Sequence, residues 1–260
     1  MRRITGVAAL AALAASCDAD ARGALADVTV VDRDSGAALT TYYAGGDYWV
    51  AGTPGHRYAI EIRNRSGGRL LAVTSVDGVN VLSGATAGWD QAGYVFDAGE
   101  RYEVTGWRKS NAEVAAFVFT DLPHSYAART GRPANVGIIG VALFRERHPP
   151  QVYLGPPVAP SLSEDATAAR AEGAGAPTAA PPAQPDARLG TGHGEREYSY
   201  VVDTEFRRMQ REPNEVIRIR YDSFENLVAM GIVPPGDGTA PVPDPFPRSH
   251  APRYVPDPPG

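Results

Sequence analysis

Turn signals recur along residues 27–147 at intervals that leave room for strands and little else. The strongest is Asp77-Gly78, between residues 69–76 and 79–82, because both of its residues readily adopt the positive φ of a tight hairpin turn. Similar short turns are predicted at residues 45–46, 66–68 and 97–99. Connections this short join neighbouring strands in antiparallel fashion, so the sequence predicts a series of β-hairpins.

Side-chain alternation assigns the faces of these strands. In residues 57–63, apolar side chains alternate with charged ones, as expected of a strand with one buried face. Residues 114–119 and 136–144 are apolar at both parities, which is typical of central strands covered on both faces. No comparable helical periodicity is present. The sequence therefore predicts an all-β fold, a two-layer antiparallel β-sandwich of jelly-roll or immunoglobulin-like type over residues 27–147.

The composition changes after the predicted sandwich. The chain contains 23 prolines and 28 glycines, more than a sandwich of this size can use. Residues 148–189 are rich in Pro and Ala without an apolar period, which predicts a disordered linker. Residues 234–260 are Pro-rich and are predicted to form a disordered tail.

A second ordered segment is predicted at residues 190–233. Strands are expected at 197–202, 216–221 and 227–233, with a turn at 222–226. A three-stranded unit this small cannot bury a core of its own. We therefore expect it to dock on the sandwich, in cis, or on a partner, in trans.

The N-terminus predicts export. Two arginines precede an apolar run at residues 4–15, too short to span a bilayer but of the length found in signal peptides, here residues 1–21. Cys17 ends a stretch that resembles a bacterial lipobox, which predicts lipidation of this cysteine and a membrane-anchored lipoprotein of the cell envelope. Cleavage at 19–21 or 24–26 would instead give a soluble secreted or periplasmic protein. With one cysteine, no intrachain disulfide can form.

Charge and motifs narrow the function classes. A net charge of −5 gives no reason to expect nucleic-acid binding. No phosphate-binding glycine loop opens a helix, so no cofactor is predicted. Ser-Gly pairs at residues 35, 66 and 83 lack a nucleophile-elbow pattern, and no catalytic residue is predicted. A hydrolase built around His124, in the long connection 120–135, remains an alternative.

Residues 88–110 have the densest cluster of aromatic and charged side chains. The first interpretation is structural: two strands whose charged residues lie on turns and on outward positions. The second is an exposed aromatic face with polar partners, suited to a sugar ring. The candidate ligand-binding residues are Trp89, Asp90, Gln91, Tyr94, Trp107, Arg108 and Lys109. The exposure of the tryptophans distinguishes the two interpretations.

His193 precedes Glu195 and Glu197, and a histidine with carboxylates can hold a metal ion. One histidine without a second nearby is a weak ligand set, and no metal is predicted. The glycines at 190, 192 and 194 favour a flexible entry into a strand.

Five motifs together resemble a family of exported proteobacterial β-sandwich proteins of lipoprotein type whose function is unknown. They are residues 76–81 (VDGVNV), 106–110 (GWRKS), 117–119 (FVF), 192–197 (GHGERE) and 221–223 (YDS). The resemblance implies export and supplies no activity, substrate or site residue.

The sequence as a whole favours a non-catalytic envelope interaction or structural protein, tethered to a membrane, that contacts an envelope protein or a second copy through sheet edges. Two alternatives stay open: a carbohydrate-binding module that uses the aromatic face, and an extracytoplasmic hydrolase.

Overall fold

The computed structural model describes residues 21–147 and 188–234. They form two stacked β-sheets that do not close into a barrel, which confirms the predicted all-β sandwich. Cys17, nearly all of the predicted signal peptide and linker, and the predicted tail lie outside the described residues. Within the described residues, no helix is long and apolar enough to cross a membrane.

The strands are numbered in chain order. They are β1 (Ala21–Arg22), β2 (Ala26–Asp32), β3 (Thr41–Ala44), β4 (Asp47–Gly52), β5 (Arg57–Asn64), β6 (Leu70–Val76), β7 (Val79–Asn80), β8 (Tyr94–Phe96), β9 (Arg101–Val104), β10 (Gly106–Arg108), β11 (Glu113–Asp121), β12 (Ile138–Arg145), β13 (Leu189–Tyr198) and β14 (Glu215–Ser223). Two short α-helices accompany them, α1 (Tyr126–Arg129) and α2 (Phe224–Ala229).

The first sheet, called sheet A, contains β1, β2, β5, β9, β10, β11 and β13. β13 pairs with β11 along the whole length of β11. β10 pairs with residues 114–116 of β11, and β5 pairs with residues 117–118 of β11. Since a strand has two sides, β13 must lie on the side of β11 away from β10 and β5. It therefore forms one edge of sheet A, and the short strands β1, β9 and β10 form the others.

The second sheet, called sheet B, has the order β3-β4-β14-β12-β6-β7, with β8 also paired to β6. β14 is inserted between β4 and β12, antiparallel to β12 and parallel to β4. The parallel pair departs from the purely antiparallel sandwich that was predicted. It arises because β14 enters from a distant part of the chain, so no short turn constrains its direction.

The core lies between the sheets and is rich in aromatic side chains. Tyr58 of β5 stacks on Phe119 with ring centroids 4.2 Å apart, and Tyr221 of β14 packs against both rings. All three are fully buried. Side chains from distant parts of the described chain thus meet in one core. Burial of their apolar surface supplies most of the free energy that stabilises the fold.

A smaller apolar cluster lies on the outer face of sheet B. It consists of Leu71, Val73, Ala142 and Phe144, and the irregular segment after β13 covers it. Arg208 places its guanidinium 4.4 Å from the Phe144 ring centroid. This cover explains why β6 and β12 are apolar at both parities.

The C-terminal segment differs from its prediction in three ways. Its two strands are not neighbours in a unit of their own: β13 completes sheet A and β14 completes sheet B, both within the same chain. The glycine-rich residues 190–194, expected to be a flexible entry, are part of β13. Residues 227–233, expected to be a strand, continue α2 and the turn after it, because the Ser223 hydroxyl accepts the Asn226 N–H and caps the helix.

Candidate functional site

The longest free sheet edge belongs to β13. The other edge strands of the described residues, β1, β3, β7, β8, β9 and β10, have two to four residues each, whereas β13 has ten. Short edge strands are one of the usual ways in which proteins avoid pairing with other chains. The long edge of β13 is therefore the feature of the fold that most needs a functional explanation.

The two halves of β13 differ in exposure. Residues 189–192 are buried between β11 and the connection that holds α1, whereas the half from His193 onward is mostly exposed. Exposure continues past the strand: Tyr198 is 82% exposed, Tyr200 61% and Val202 72%. Large side chains so open to water are uncommon in a monomer and indicate a contact surface.

Backbone hydrogen bonds continue beyond the end of β13, toward the residues that precede β11. The N–H groups of Ser199 and Val201 donate to the carbonyls of Ala112 and Asn111, each at 2.8 Å. Alternation along an extended chain directs the N–H groups of Tyr198, Tyr200 and Val202 away from these partners. The outward groups make no backbone hydrogen bond with another described residue, so the edge is open to an added strand.

An arginine fixes this edge in place. Arg108 donates to the carbonyl oxygen and hydroxyl of Ser199 and to the Tyr94 hydroxyl. The Tyr102 hydroxyl also lies 3.0 Å from the Ser199 Oγ. The guanidinium thus holds residue 199 by several charge-assisted bonds, which keeps the open edge extended.

A buried carboxylate fixes the other half of β13. Asp77 Oδ2 accepts the Thr191 N–H at 2.9 Å, while Oδ1 accepts the Gly137 N–H at 2.9 Å and the Tyr221 hydroxyl at 2.5 Å. Thr191 Oγ1 lies 2.7 Å from the Tyr221 oxygen and 2.6 Å from the Tyr58 oxygen. Since ionised Asp77 can only accept, the hydroxyls form one chain in which Tyr58 donates to Thr191, Thr191 to Tyr221, and Tyr221 to Asp77.

Burial determines the protonation of the groups in this chain of hydroxyls. Desolvation raises the pKa of Asp77 to about 6, although the Tyr221 hydroxyl and the backbone donors favour its charged form. Burial also raises the pKa of Tyr58 and of Tyr221 well above the ordinary value, so both hydroxyls keep their protons as donors. The network joins β5, β13 and β14 and thereby ties the C-terminal segment into the sandwich.

A groove of about 610 Å³ lies beside the open edge. It is lined by Tyr94, Tyr102 and Tyr200 among others, which is the kind of aromatic lining expected for a sugar. Its two arginines are already engaged, however. Arg108 is bound to Tyr94 and Ser199, and Arg69 to Glu146 and residues 204–205. Other polar side chains, Asp97, Asn111 and Asp203 among them, also line the groove.

The two tryptophans of the predicted aromatic face differ in burial. Trp107 is 2% exposed, packs against Phe117 and Tyr126, and donates its Nε1 hydrogen to the Gly192 carbonyl. Trp89 is 55% exposed on the loop before β8. The Trp107 ring is therefore not accessible to a ligand, and the face predicted from Trp89, Tyr94 and Trp107 is not assembled as a platform.

The other predicted ligand-binding residues are distributed around this region. Gln91 fastens its own loop, accepting the Gly88 N–H and donating to the Thr86 carbonyl. Asp90 is exposed and faces Arg208 electrostatically. Lys109 lies on the far side of Trp107, above Tyr126. Arg108 and Tyr94 are the two that meet, at the open edge.

The histidines have structural neighbours. His124 pairs with Asp121 in the exposed connection after β11, at 2.8 Å. His56 pairs with Asp32, also at 2.8 Å, and Asp34 lies close enough to complete a three-residue ligand set for a metal. Asp34 is bound to Arg57, whose positive charge opposes a metal ion at that position. No histidine of the described residues has a serine hydroxyl as a hydrogen-bond partner, and the geometry assembles no nucleophile for a hydrolase there.

Sequence reasoning missed the residues that build this site. Asp77 was recognised only as a turn residue, and its buried partners Thr191 and Tyr221 lie 114 and 144 positions away. The Asp-Gly pair carried a local signal for the turn, but no local pattern signals a long-range partner. The importance of Ser199 was likewise hidden, since its role depends on where Arg108 lies.

No family model, curated protein or solved structure matches this chain.

Proposed function

We propose that this protein is a non-catalytic component of a bacterial cell envelope, tethered through Cys17, that contacts a second copy of itself along the open edge of β13. The observation that supports this most directly is the outward row of unpaired N–H groups at residues 198, 200 and 202. Main-chain bonding at such an edge gives affinity without a pocket.

Arg196 and Glu197 of β13 are paired within the chain, with Glu113 and Arg33, so a second copy meets an edge whose charges are balanced. Glu195, Arg196 and Glu197 alternate in sign along the edge. In an antiparallel pair with a twofold axis at Tyr198, each Arg196 lies opposite the partner's Tyr200 and each Glu197 opposite the partner's Ser199, so that no like charges face each other. Alternating charges on β13 disfavour pairing with a partner strand whose charges all have one sign. They therefore contribute to the choice of partner.

The tether makes such a contact effective. Pairing along one strand buries much less area than a stable dimer interface needs, so contact in solution is expected to be weak. Two copies held at one membrane have a raised effective concentration, which converts a weak edge contact into a populated one. The carbohydrate alternative has less support because Trp107 is buried, and the hydrolase alternative has less because no histidine of the described residues is hydrogen-bonded to a serine hydroxyl.

Self-association is tested by sedimentation velocity on the full chain carrying Cys17→Ala, which removes the predicted lipidation. We expect concentration-dependent dimerisation that Tyr200→Pro abolishes, because proline removes an outward N–H and leaves the inward bonds of Ser199 and Val201 intact. The matched control is Tyr200→Ala, which keeps the N–H and is expected to retain pairing. Arg196→Glu should weaken dimerisation, whereas Arg101→Glu, away from the edge, should not.

A wild-type protein that stays monomeric at every concentration, or a Tyr200→Pro variant that pairs normally with an unchanged melting temperature, would exclude self-contact at this edge. The tether is tested separately by incorporation of labelled palmitate in cells. We expect label in the wild type and none in Cys17→Ser.

A further inference from the structure

A second feature lies beside Trp107, where this ring packs against Tyr126. It is a cleft of about 320 Å³ lined by Tyr126, Arg129, Thr130 and His193. The Tyr126 ring forms its floor, packed on Trp107 at 4.8 Å and stacked with the His193 ring at 6.1 Å and 29°. Lys109 extends over the same ring, with its Nζ 6.0 Å from the centroid. These five residues, Lys109 included, are called the cationic cleft.

The cationic cleft has an excess of positive charge. Lys109 comes from the loop after β10, Arg129 from α1, and His193 and the neighbouring Arg196 from β13. The nearby carboxylate of Glu113 is paired with Arg196 at 3.0 Å. No carboxylate of the described residues forms an ion pair with Lys109, Arg129 or His193, so these three groups lack an internal counter-charge.

The groups of the cleft also disfavour one another's charge. Burial lowers the pKa of Lys109, and Arg196 lowers it further. Burial likewise lowers the pKa of His193, with additional contributions from Lys109 and Arg196. A bound anion would reverse these effects, because an opposite charge within a few ångströms favours the protonated forms.

The floor narrows the chemical class of the ligand. An aromatic ring face accommodates the flat face of a pyranose, and a cation at its rim can bind an oxyanion on that sugar. We propose that the cationic cleft binds an acidic sugar, with its carboxylate or phosphate between Lys109, Arg129 and His193 and its ring on Tyr126. This site is independent of strand pairing at the β13 edge.

The proposal is tested on the full Cys17→Ala chain by NMR titration with glucuronate, glucose 6-phosphate and neutral glucose. The side-chain signals of His193 and Lys109 should shift with the two anionic sugars and not with glucose. The first two probes distinguish a carboxylate from a phosphate ligand. Because the bound anion raises the pKa of His193, glucuronate should bind more tightly at pH 5.5 than at pH 7.5, by up to about tenfold for each pH unit between the free and bound pKa values.

Variants locate the site. Lys109→Gln should weaken binding about tenfold, the loss expected of one charge-assisted hydrogen bond, while Lys109→Arg keeps most of the affinity. Arg101→Ala removes one positive charge far from the cleft and should leave binding unchanged. Melting temperatures establish that all variants fold. The proposal is overturned if neither anionic sugar shifts His193 at millimolar concentration, if glucose binds equally well, or if Lys109→Gln binds like the wild type.

Discussion

Replacement of Asp77 by asparagine should change how the free energy of unfolding depends on pH. The pKa of this carboxyl is about 6 in the folded protein against an ordinary value of 3.8, because burial disfavours its charge. A folded pKa above the unfolded one means that the group stabilises the fold fully below about pH 4. That contribution is lost as pH rises through 6. At about 1.4 kcal/mol per pKa unit, the loss is about 3 kcal/mol.

In the asparagine variant, residue 77 does not titrate, but the substitution lowers the free energy of unfolding by an amount that does not depend on pH. Its amide oxygen can still accept from Gly137 and Tyr221, whereas its NH₂ group faces the Thr191 N–H in place of Oδ2. One buried donor without an acceptor costs about 1–3 kcal/mol. At pH 4 the variant should therefore be less stable than the wild type by about that amount, and the difference should shift in its favour by about 3 kcal/mol by pH 7.

Urea unfolding of both proteins between pH 4 and pH 7.5, followed by tryptophan fluorescence, measures this difference. Other titrating groups are common to the two chains and cancel. Tyr221→Phe serves as a companion variant, because loss of its hydroxyl donor should raise the pKa of Asp77 and move the change in stability to higher pH. Parallel stability curves for the wild type and Asp77→Asn would refute the assignment of a titrating, buried carboxylate.

Two further predictions concern the core and the N-terminal edge. Trp107→Ala should destabilise the protein by about 3–5 kcal/mol in urea unfolding because it leaves a cavity against Phe117 and Tyr126, whereas Trp89→Ala should stay within about 0.5 kcal/mol. An equal effect of the two would contradict the burial described. Glu215→Gln should speed amide hydrogen exchange at residues 24 and 25, whose N–H groups donate to the Glu215 carboxylate at 2.7 and 2.8 Å. Unchanged exchange there would exclude that anchoring role.

Local patterns predicted the sandwich well where neighbouring strands are joined by short turns. The alternation over residues 57–63 lies within the observed β5, and the Asp77-Gly78 turn has positive φ at both residues. In these places the alternation of side chains and the turn residues act over only a few positions. A short stretch of sequence is therefore enough to predict the strands and the turn between them. The fold class follows from such local evidence repeated along the chain.

The parts that were not predicted depend on distant partners. Gly194 is needed because a Cβ there would come within 2.9 Å of the Ala116 carbonyl oxygen, so a residue that indicated flexibility in fact permits close pairing with β11. The alternating β14 was recognised as a strand, but its position between β4 and β12 could not be, since no sequence pattern identifies a strand's neighbour. The cationic cleft escaped notice for the same reason: Lys109 and His193 are brought together only by the pairing of β10, β11 and β13.

The insertion of β14 has a consequence for how the molecule is made. Until residues 215–223 emerge, β4 and β12 each present an unsatisfied side, and sheet B is split into two parts. Native pairing must then wait for the last fifth of the chain, which makes folding dependent on very distant contacts and correspondingly slow. During synthesis the nascent protein thus exposes unpaired strand edges until this central gap is closed, and such edges favour aggregation in the incomplete chain.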